Sequence, residues 1–290
     1  MNVHLVDGTY ELFRQNFGRL AKETDPGPFA ATVGVLRSTL QLLADGATHV
    51  AVASDHIIES FRNSLWRGYK TSAGMPPELL AQIPIVEQAL EAMGVTTWAM
   101  VELEADDALG AAAAVAAADE RVDQVLIVTP DKDLGQCVRG DRVVQYDRRK
   151  REVLDEAAVT AKFGVPPSSI PDYLGLVGDS ADGFPGIAGW GAKSAAAVLA
   201  RYGHLEHIPD HAGQWDVPGL RGAAKLSHSL RADFELALLF RRIATVETDV
   251  EVGTVDDWRW TGPTPEFTEI AERLDEPSLA IRAAALATSR

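Results

Sequence analysis

The stretch VHLVDG, Val3 to Gly8, sets a β-branched apolar run directly against an acid and a glycine, the pattern of a buried strand handing over to a loop. Similar runs occur at Val50–Ala53, Val95–Trp98, Val125–Val128 and Val143–Gln145. Amphipathic helical stretches, among them Phe29–Leu43 and Asp106–Ala118, lie between them. Strands alternating with helices predict an α/β fold with a mainly parallel sheet flanked by helices. From about Pro166 the pattern changes. Glycine and proline punctuate residues 183–191, and helical periods return at Lys193–Arg201 and Leu226–Arg242. A boundary there divides the chain into an α/β part, residues 1–166, and a mostly helical part, residues 167–290. The final stretch, Thr254–Arg290, holds Trp258, Trp260 and an alanine-rich helix, and reads as packing.

The chain has 290 residues, 46% hydrophobic and 24% charged, which is globular composition and argues against disorder or a fibrous chain. Its longest nearly apolar stretch, Leu109–Ala118, is too short to span a bilayer, and no basic, apolar targeting segment opens the sequence. The single cysteine, Cys137, cannot form an internal disulfide, so a reducing cytoplasm is expected, with no membrane partner. A formal net charge of −15 counts against a nucleic-acid partner if the acids are spread evenly. Their distribution is uneven.

In the α/β part, acids recur where a strand gives way to a loop. Asp7 follows the first run, Asp55 the second, Glu104 to Asp107 the next, and Asp131 and Asp133 follow Val125–Val128. A parallel sheet brings such ends to one edge, where open α/β folds build their sites. Each acid singly suits a turn or a helix cap. Grouped, they repel: two unit charges ~4 Å apart cost ~1 kcal/mol in water and ~4 kcal/mol at an effective dielectric near 20. The motifs contain one compensating cation, Lys132, so hard oxygen ligands without Cys or His point to magnesium or manganese. Asp179 and Asp182, in GDSADG (Gly178–Gly183), suit either a tight turn or a ligand loop.

Taken together, LVDGTYELFR (Leu5–Arg14), ASDHIIESFRNSLWRGYK (Ala53–Lys70), LEADDALG (Leu103–Gly110), TPDKDLGQ (Thr129–Gln136) and the segment Phe163–Ala195 resemble the 5′-nuclease family. That family comprises the N-terminal domain of bacterial DNA polymerase I, its stand-alone exonuclease relatives and the flap endonucleases. The resemblance implies a PIN-like core and a C-terminal helix–hairpin–helix. It implies a first metal cluster at Asp7, Asp55, Glu104 and Asp106, and a second at Asp131, Asp133 and Asp179 with Asp106 shared or nearby, Asp107 and Asp182 being further acids. Mg²⁺ or Mn²⁺ would be the cofactor, two or more ions serving an in-line displacement. The lone cysteine and scattered serines offer no nucleophile–His–acid set.

By the same resemblance, GIAGWGAKSA (Gly186–Ala195) is the helix–hairpin–helix, with Gly186, Gly189, Gly191, Lys193 and Ser194 set for duplex DNA and a potassium or sodium ion on its carbonyls. Arg62, Arg67, Tyr69 and Lys70 fall at the base of the family's arch, Lys70 and Arg67 in catalytic positions and Arg62 and Arg14 in DNA-contacting ones; Tyr69 equally suits a core. Two departures stand out. The stretch after Lys70 reads TSAG (Thr71–Gly74), without the arginine usual there, and Pro130 replaces a common glycine. His204, His207 and His211 lack an accompanying acidic set, and Arg148–Arg151 reads as a charged hairpin tip.

The expected function is hydrolysis of DNA at 5′ ends, flaps or branches in replication or repair. No fused polymerase is expected, so a separate polymerase and ligase would be needed. The alternatives are a structure-specific DNA-binding protein with weak or no catalysis, and a related RNA-cutting nuclease.

Overall fold

A computed structural model describes residues 1–20 and 27–290. By backbone contacts they form two compact units, one of Met1–Ile58, Ser72–Thr129 and Thr248–Arg290, the other of Glu59–Thr71 and Pro130–Glu247.

In the first unit, β1 (Asn2–Asp7), β2 (His49–Asp55), β3 (Thr96–Met100) and β4 (Gln124–Val128) run parallel in the order β3-β2-β1-β4. All seven residues of β2 are buried, as expected of a central strand covered on both faces. The register pairs Asp7 with Ala53 and Asp55 with Met100, so both acids stand at the same carboxyl edge. Helices flank the strands. Ala105–Ala118 packs on all four of them, its alanines allowing close approach, and Ile83–Ala92 packs on β2 and β3. The C-terminal stretch completes this unit: Trp260 Nε1 donates to the Met93 carbonyl at 2.8 Å, and Trp258 meets Trp98 edge to face.

In the second unit, β5 (Val143–Asp147) and β6 (Glu152–Leu154) form an antiparallel hairpin with Arg148–Arg151 at its tip. Helices Glu156–Phe163, Ile170–Val177, Ala192–Tyr202, Ala223–Ala232 and Phe234–Ala244 follow. Their core includes Val159, Ile170, Leu174, Phe184, Leu199 and Phe240. The helical period read over Leu226–Arg242 is broken at Asp233 (φ −118°, ψ 30°), whose carbonyl accepts the Ala237 N–H and starts the second helix. Aspartate is a weak residue for a helix interior, and the break here is carried by the backbone, the Asp233 side chain making no capping hydrogen bond. Among the described residues, no helix is long and apolar enough to cross a membrane.

Candidate active site

In the first unit, Asp7 closes β1 and is buried. Its Oδ1 accepts the Tyr10 N–H at 2.8 Å and its Oδ2 the Thr129 hydroxyl at 2.9 Å. Asp55 closes β2, and its Oδ1 accepts the Ala105 N–H at 2.7 Å, tying the end of that strand to the start of helix Ala105–Ala118. Glu104 is the buried residue preceding this helix, with Asp106 and Asp107 in the first turn. The fully buried Asp107 accepts the Glu104 N–H at 2.9 Å and holds the loop in place. Sequence order alone did not single out a neighbouring pair: buried Glu87 accepts the Ser54 hydroxyl at 2.5 Å and contacts His56 Nδ1 at 2.6 Å. These contacts brace the two residues on either side of Asp55. Their separation of 31 to 33 positions leaves no local signal.

The second unit brings Asp133, Asp179 and Asp182 together, one carboxylate oxygen from each lying within 4.8 Å of the others. Asp133 begins a short 3₁₀ turn, and its N–H donates to Asp131 Oδ1 at 3.1 Å. Its own Oδ1 is buried without a hydrogen-bond partner. Burial, followed by repulsion from Asp131, Asp182 and Asp179, holds the Asp133 carboxyl well above the usual carboxylate range, with Lys70 only partly opposing it. Lys132 Nζ lies 2.6 Å from Asp179 Oδ2. Burial works against the Lys132 charge, yet the hydrogen bond to Asp179 and the nearby Asp133 and Asp131 hold its ammonium above its ordinary pKa.

Asp179 is fixed by its loop, where its N–H donates to the Phe184 carbonyl at 2.8 Å and its Oδ1 accepts the Ala181 N–H at 2.9 Å. Gly183 takes φ +82°, and a Cβ there would lie 2.0 Å from the Gly68 carbonyl oxygen. Only glycine allows that approach. The result is a backbone clasp: the Lys70 N–H donates to the Asp182 carbonyl at 2.9 Å, and Trp66 Nε1 to the Gly183 carbonyl at 3.0 Å. Lys70 Nζ then stands 3.2 Å from Asp182 Oδ1, with Asn63 Nδ2 donating to its carbonyl.

The remaining basic positions divide. Arg67 is exposed, whereas Tyr69 is core. Arg62 is neither on a solvated face nor presented to a ligand: it is buried, and its guanidinium donates to the Ile243 carbonyl at 2.8 Å and the Thr245 carbonyl at 3.1 Å, at the end of helix Phe234–Ala244. Arg14 is half-buried against Glu11. Gly186 packs on the acid loop, since a Cβ there would lie 2.4 Å from Gly178 N. Gly189, Gly191 and Lys193 are exposed at the start of helix Ala192–Tyr202, and Ser194 Oγ accepts the Gly191 N–H at 3.1 Å. The histidines have other partners: His204 Nδ1 meets Asp172 at 2.8 Å, His207 the Tyr202 carbonyl at 3.2 Å and His211 Arg231 at 3.1 Å.

Residues 2–164 match the family described as 5′-3′ exonuclease, N-terminal resolvase-like domain, and residues 165–266 match 5′-3′ exonuclease, C-terminal SAM fold. A 5′-3′ exonuclease of Buchnera aphidicola subsp. Baizongia pistaciae (strain Bp) is 32% identical over 255 residues, covering 87% of this chain and 83% of that protein. DNA polymerase I of Rhizobium leguminosarum is 32% identical over 297 residues, covering 95% of this chain but 28% of the polymerase, so the chain spans under a third of that relative. In structure, the 5′-exonuclease of bacteriophage T5 with bound divalent zinc ions superposes with a TM-score of 0.66 at 17% identity, covering 99% of this chain and 98% of that one. The catalytic core of Rad2 in complex with DNA substrate gives 0.62 at 16% identity, covering 98% and 91%. Those two likenesses are of fold. Matched by both family domains in order from residue 2 to residue 266, and by a stand-alone relative over most of its length, the chain belongs to the 5′-3′ exonuclease family.

Proposed function

We propose that the chain is a divalent-metal-dependent 5′-nuclease that hydrolyses DNA phosphodiesters at 5′ ends, flaps or branched structures. The observation that carries this reading is the Asp133 group. A buried carboxylate oxygen without a partner, among three acids whose oxygens crowd within 4.8 Å, is an arrangement that a hard cation stabilises. An all-carboxylate donor set fits Mg²⁺ or Mn²⁺. Asp131, Asp133, Asp179 and Asp182 of the second unit would hold one ion, and Asp7, Asp55, Glu104 and Asp106 of the first another, with Asp107 orienting Glu104. When bound, such ions supply a nucleophile at neutral pH and charge stabilisation for an in-line displacement.

The chain's own residues do the rest. Lys70, held by the Asp182 clasp, presents an ammonium to charge developing on the phosphate, where a fixed cation is most effective. Exposed Arg67 supports it. The start of helix Ala192–Tyr202, with Gly189, Gly191 and Lys193, takes a duplex phosphate, while Gly186 and Ser194 keep the hairpin's shape. A potassium or sodium ion on the hairpin carbonyls would serve the same contact. Arg14 would lie on the 5′ side. In this division residues 1–166 supply most of the metal ligands and residues 167–290 add Asp179 and Asp182 and the DNA-binding part, and a polymerase and a ligase would complete the pathway. The stand-alone exonuclease relative supports this reading.

The test is cleavage of end-labelled flap, nicked, gapped and single-stranded DNA with and without Mg²⁺ or Mn²⁺. Metal-dependent products released from the 5′ end are expected. Asp179→Asn should abolish cleavage while DNA binding persists, and Lys70→Ala should slow the single-turnover step more than it weakens binding. Cleavage confined to RNA, or metal-independent cleavage, overturns the reading.

A further inference from the structure

The hairpin tip sets four cations in succession, Arg148 to Arg151, in a chain of net charge −15. Its shape is fixed: Asp147 Oδ1 accepts the Arg149 N–H at 3.0 Å and the Lys150 N–H at 3.1 Å, while Arg151 takes a left-handed φ of 55°. That conformation disfavours residues other than glycine, asparagine and aspartate. Arg149, Lys150 and Arg151 are exposed. The acids near Lys150 are Asp147 at 3.7 Å and Glu152 at 4.0 Å.

Other cations of the same unit continue from this tip. Exposed Lys162 lies on helix Glu156–Phe163, where burial first, and then Lys150, push its ammonium below the ordinary lysine pKa against the opposing charges of Glu152, Asp131 and Asp147. This helix ends at Gly164, where a Cβ would lie 2.9 Å from Ala196 Cβ. Ala196 belongs to helix Ala192–Tyr202, and Lys193 precedes it by three residues, one turn nearer the N-terminus on the same face. Lys193, Lys162 and the tip cations thus belong to one unit, in which the helix of Lys162 ends against the helix of Lys193. The four successive cations of the tip repel one another, and a polyanion laid against them relieves the repulsion.

We propose that the β5–β6 hairpin is a second nucleic-acid backbone contact, which continues the helix–hairpin–helix site along the duplex and lengthens the footprint. The inference rests on the nuclease reading above, and it concerns affinity and substrate length rather than chemistry. Phosphates are its ligand, and no base is read.

The experiment compares the full chain with a triple variant, Arg149→Ser, Lys150→Ser and Arg151→Asn, the asparagine being chosen to accept the left-handed backbone. Fluorescence-anisotropy titrations in EDTA use 5′-flap DNAs with short and long duplexes across a salt series, and steady-state cleavage uses the same DNAs. If three duplex phosphates are neutralised, the log–log salt slope should fall by roughly 2.7. The affinity gained on lengthening the duplex should disappear, KM on the long substrate should rise, and kcat should hold. Arg282→Ser, which removes one exposed cation of helix Ser278–Thr288, should leave the slope unchanged. A triple variant with wild-type slope and length dependence overturns the proposal while leaving the nuclease reading intact. So does an Arg282→Ser variant that loses as much per charge, since net charge alone would then be responsible. A wild-type chain that neither binds nor cuts DNA overturns the nuclease reading itself.

Discussion

Lys132 Nζ lies 2.6 Å from Asp179 Oδ2, so a cation of the chain shares a carboxylate with the group proposed to hold a metal ion. The two charges compete for one ligand. At about 6 Å a unit charge repels a divalent ion by about 1.4 kcal/mol in water, a tenfold change in binding.

Lys132→Met should therefore lower the Mg²⁺ concentration that half-saturates cleavage by up to about tenfold. A metal titration of single-turnover cleavage measures this separately from any change in maximal rate. An unchanged or raised midpoint would mean that Lys132 assists the ion instead of competing with it.

Asp133→Asn should abolish cleavage and stabilise the chelated protein. The neutral amide keeps the shape of the side chain and cannot carry the charge that burial and then Asp131, Asp182 and Asp179 disfavour there. Each 1 kcal/mol of relief raises the melting temperature by roughly 2–4 °C for a fold of this size. Added Mg²⁺ should then raise the melting temperature of wild type more than that of the variant, because it binds the folded state of the former more tightly. A variant that melts lower than wild type in EDTA would make Asp133 a structural acid.

The strands were legible because β-branched runs bounded by acids and glycine have few other readings, and parallel pairing then places Asp7 and Asp55 at one edge. The acid loop was legible as GDSADG, although its clasp on Lys70 was not, since that depends on the Gly68 backbone, 115 positions away, approaching Gly183 so closely that no Cβ would fit. Burial was the main hidden variable. Arg62 looks like any basic residue on a short helix, and its partners at Ile243 and Thr245 lie more than 180 positions away. The histidine string became interpretable only once folding placed Asp172 beside His204. Likewise, Trp260 reveals its place only through Met93, 167 positions distant.

Arg62→Ala should destabilise the second unit without changing how DNA binding responds to salt. It removes charge-assisted hydrogen bonds to two carbonyls at a helix end, worth roughly 1.5–3 kcal/mol, and empties the space beside Phe61, whose ring the guanidinium covers at 4.7 Å. Arg62→Lys should recover part of the loss. Denaturant midpoints and salt-dependent titrations together decide the matter: a reduced salt slope with unchanged stability would place Arg62 on DNA.

Glu206 and Arg241 offer a pH test away from the proposed metal ligands. The Arg241 guanidinium, with hydrogen bonds of 2.5 and 2.6 Å to the Glu206 carboxylate, holds its pKa down at about 2, against an ordinary 4.5. A depressed carboxylate pKa means that the unfolded chain binds the proton more readily, so the pair's contribution is complete above about pH 4.5 and fades as pH falls towards 2. The Glu206 side chain is half exposed, which limits the contribution to under about 1 kcal/mol. Glu206→Gln should therefore be slightly less stable than wild type at pH 7, with the difference shrinking below about pH 4.5 and nearly gone by pH 2. Denaturant midpoints of both proteins at several pH values read this directly, and a difference that stays constant from pH 7 to pH 3 would mean that the carboxylate's packing, and not its charge, supports the Asp172–Arg241 contact at 3.0 Å.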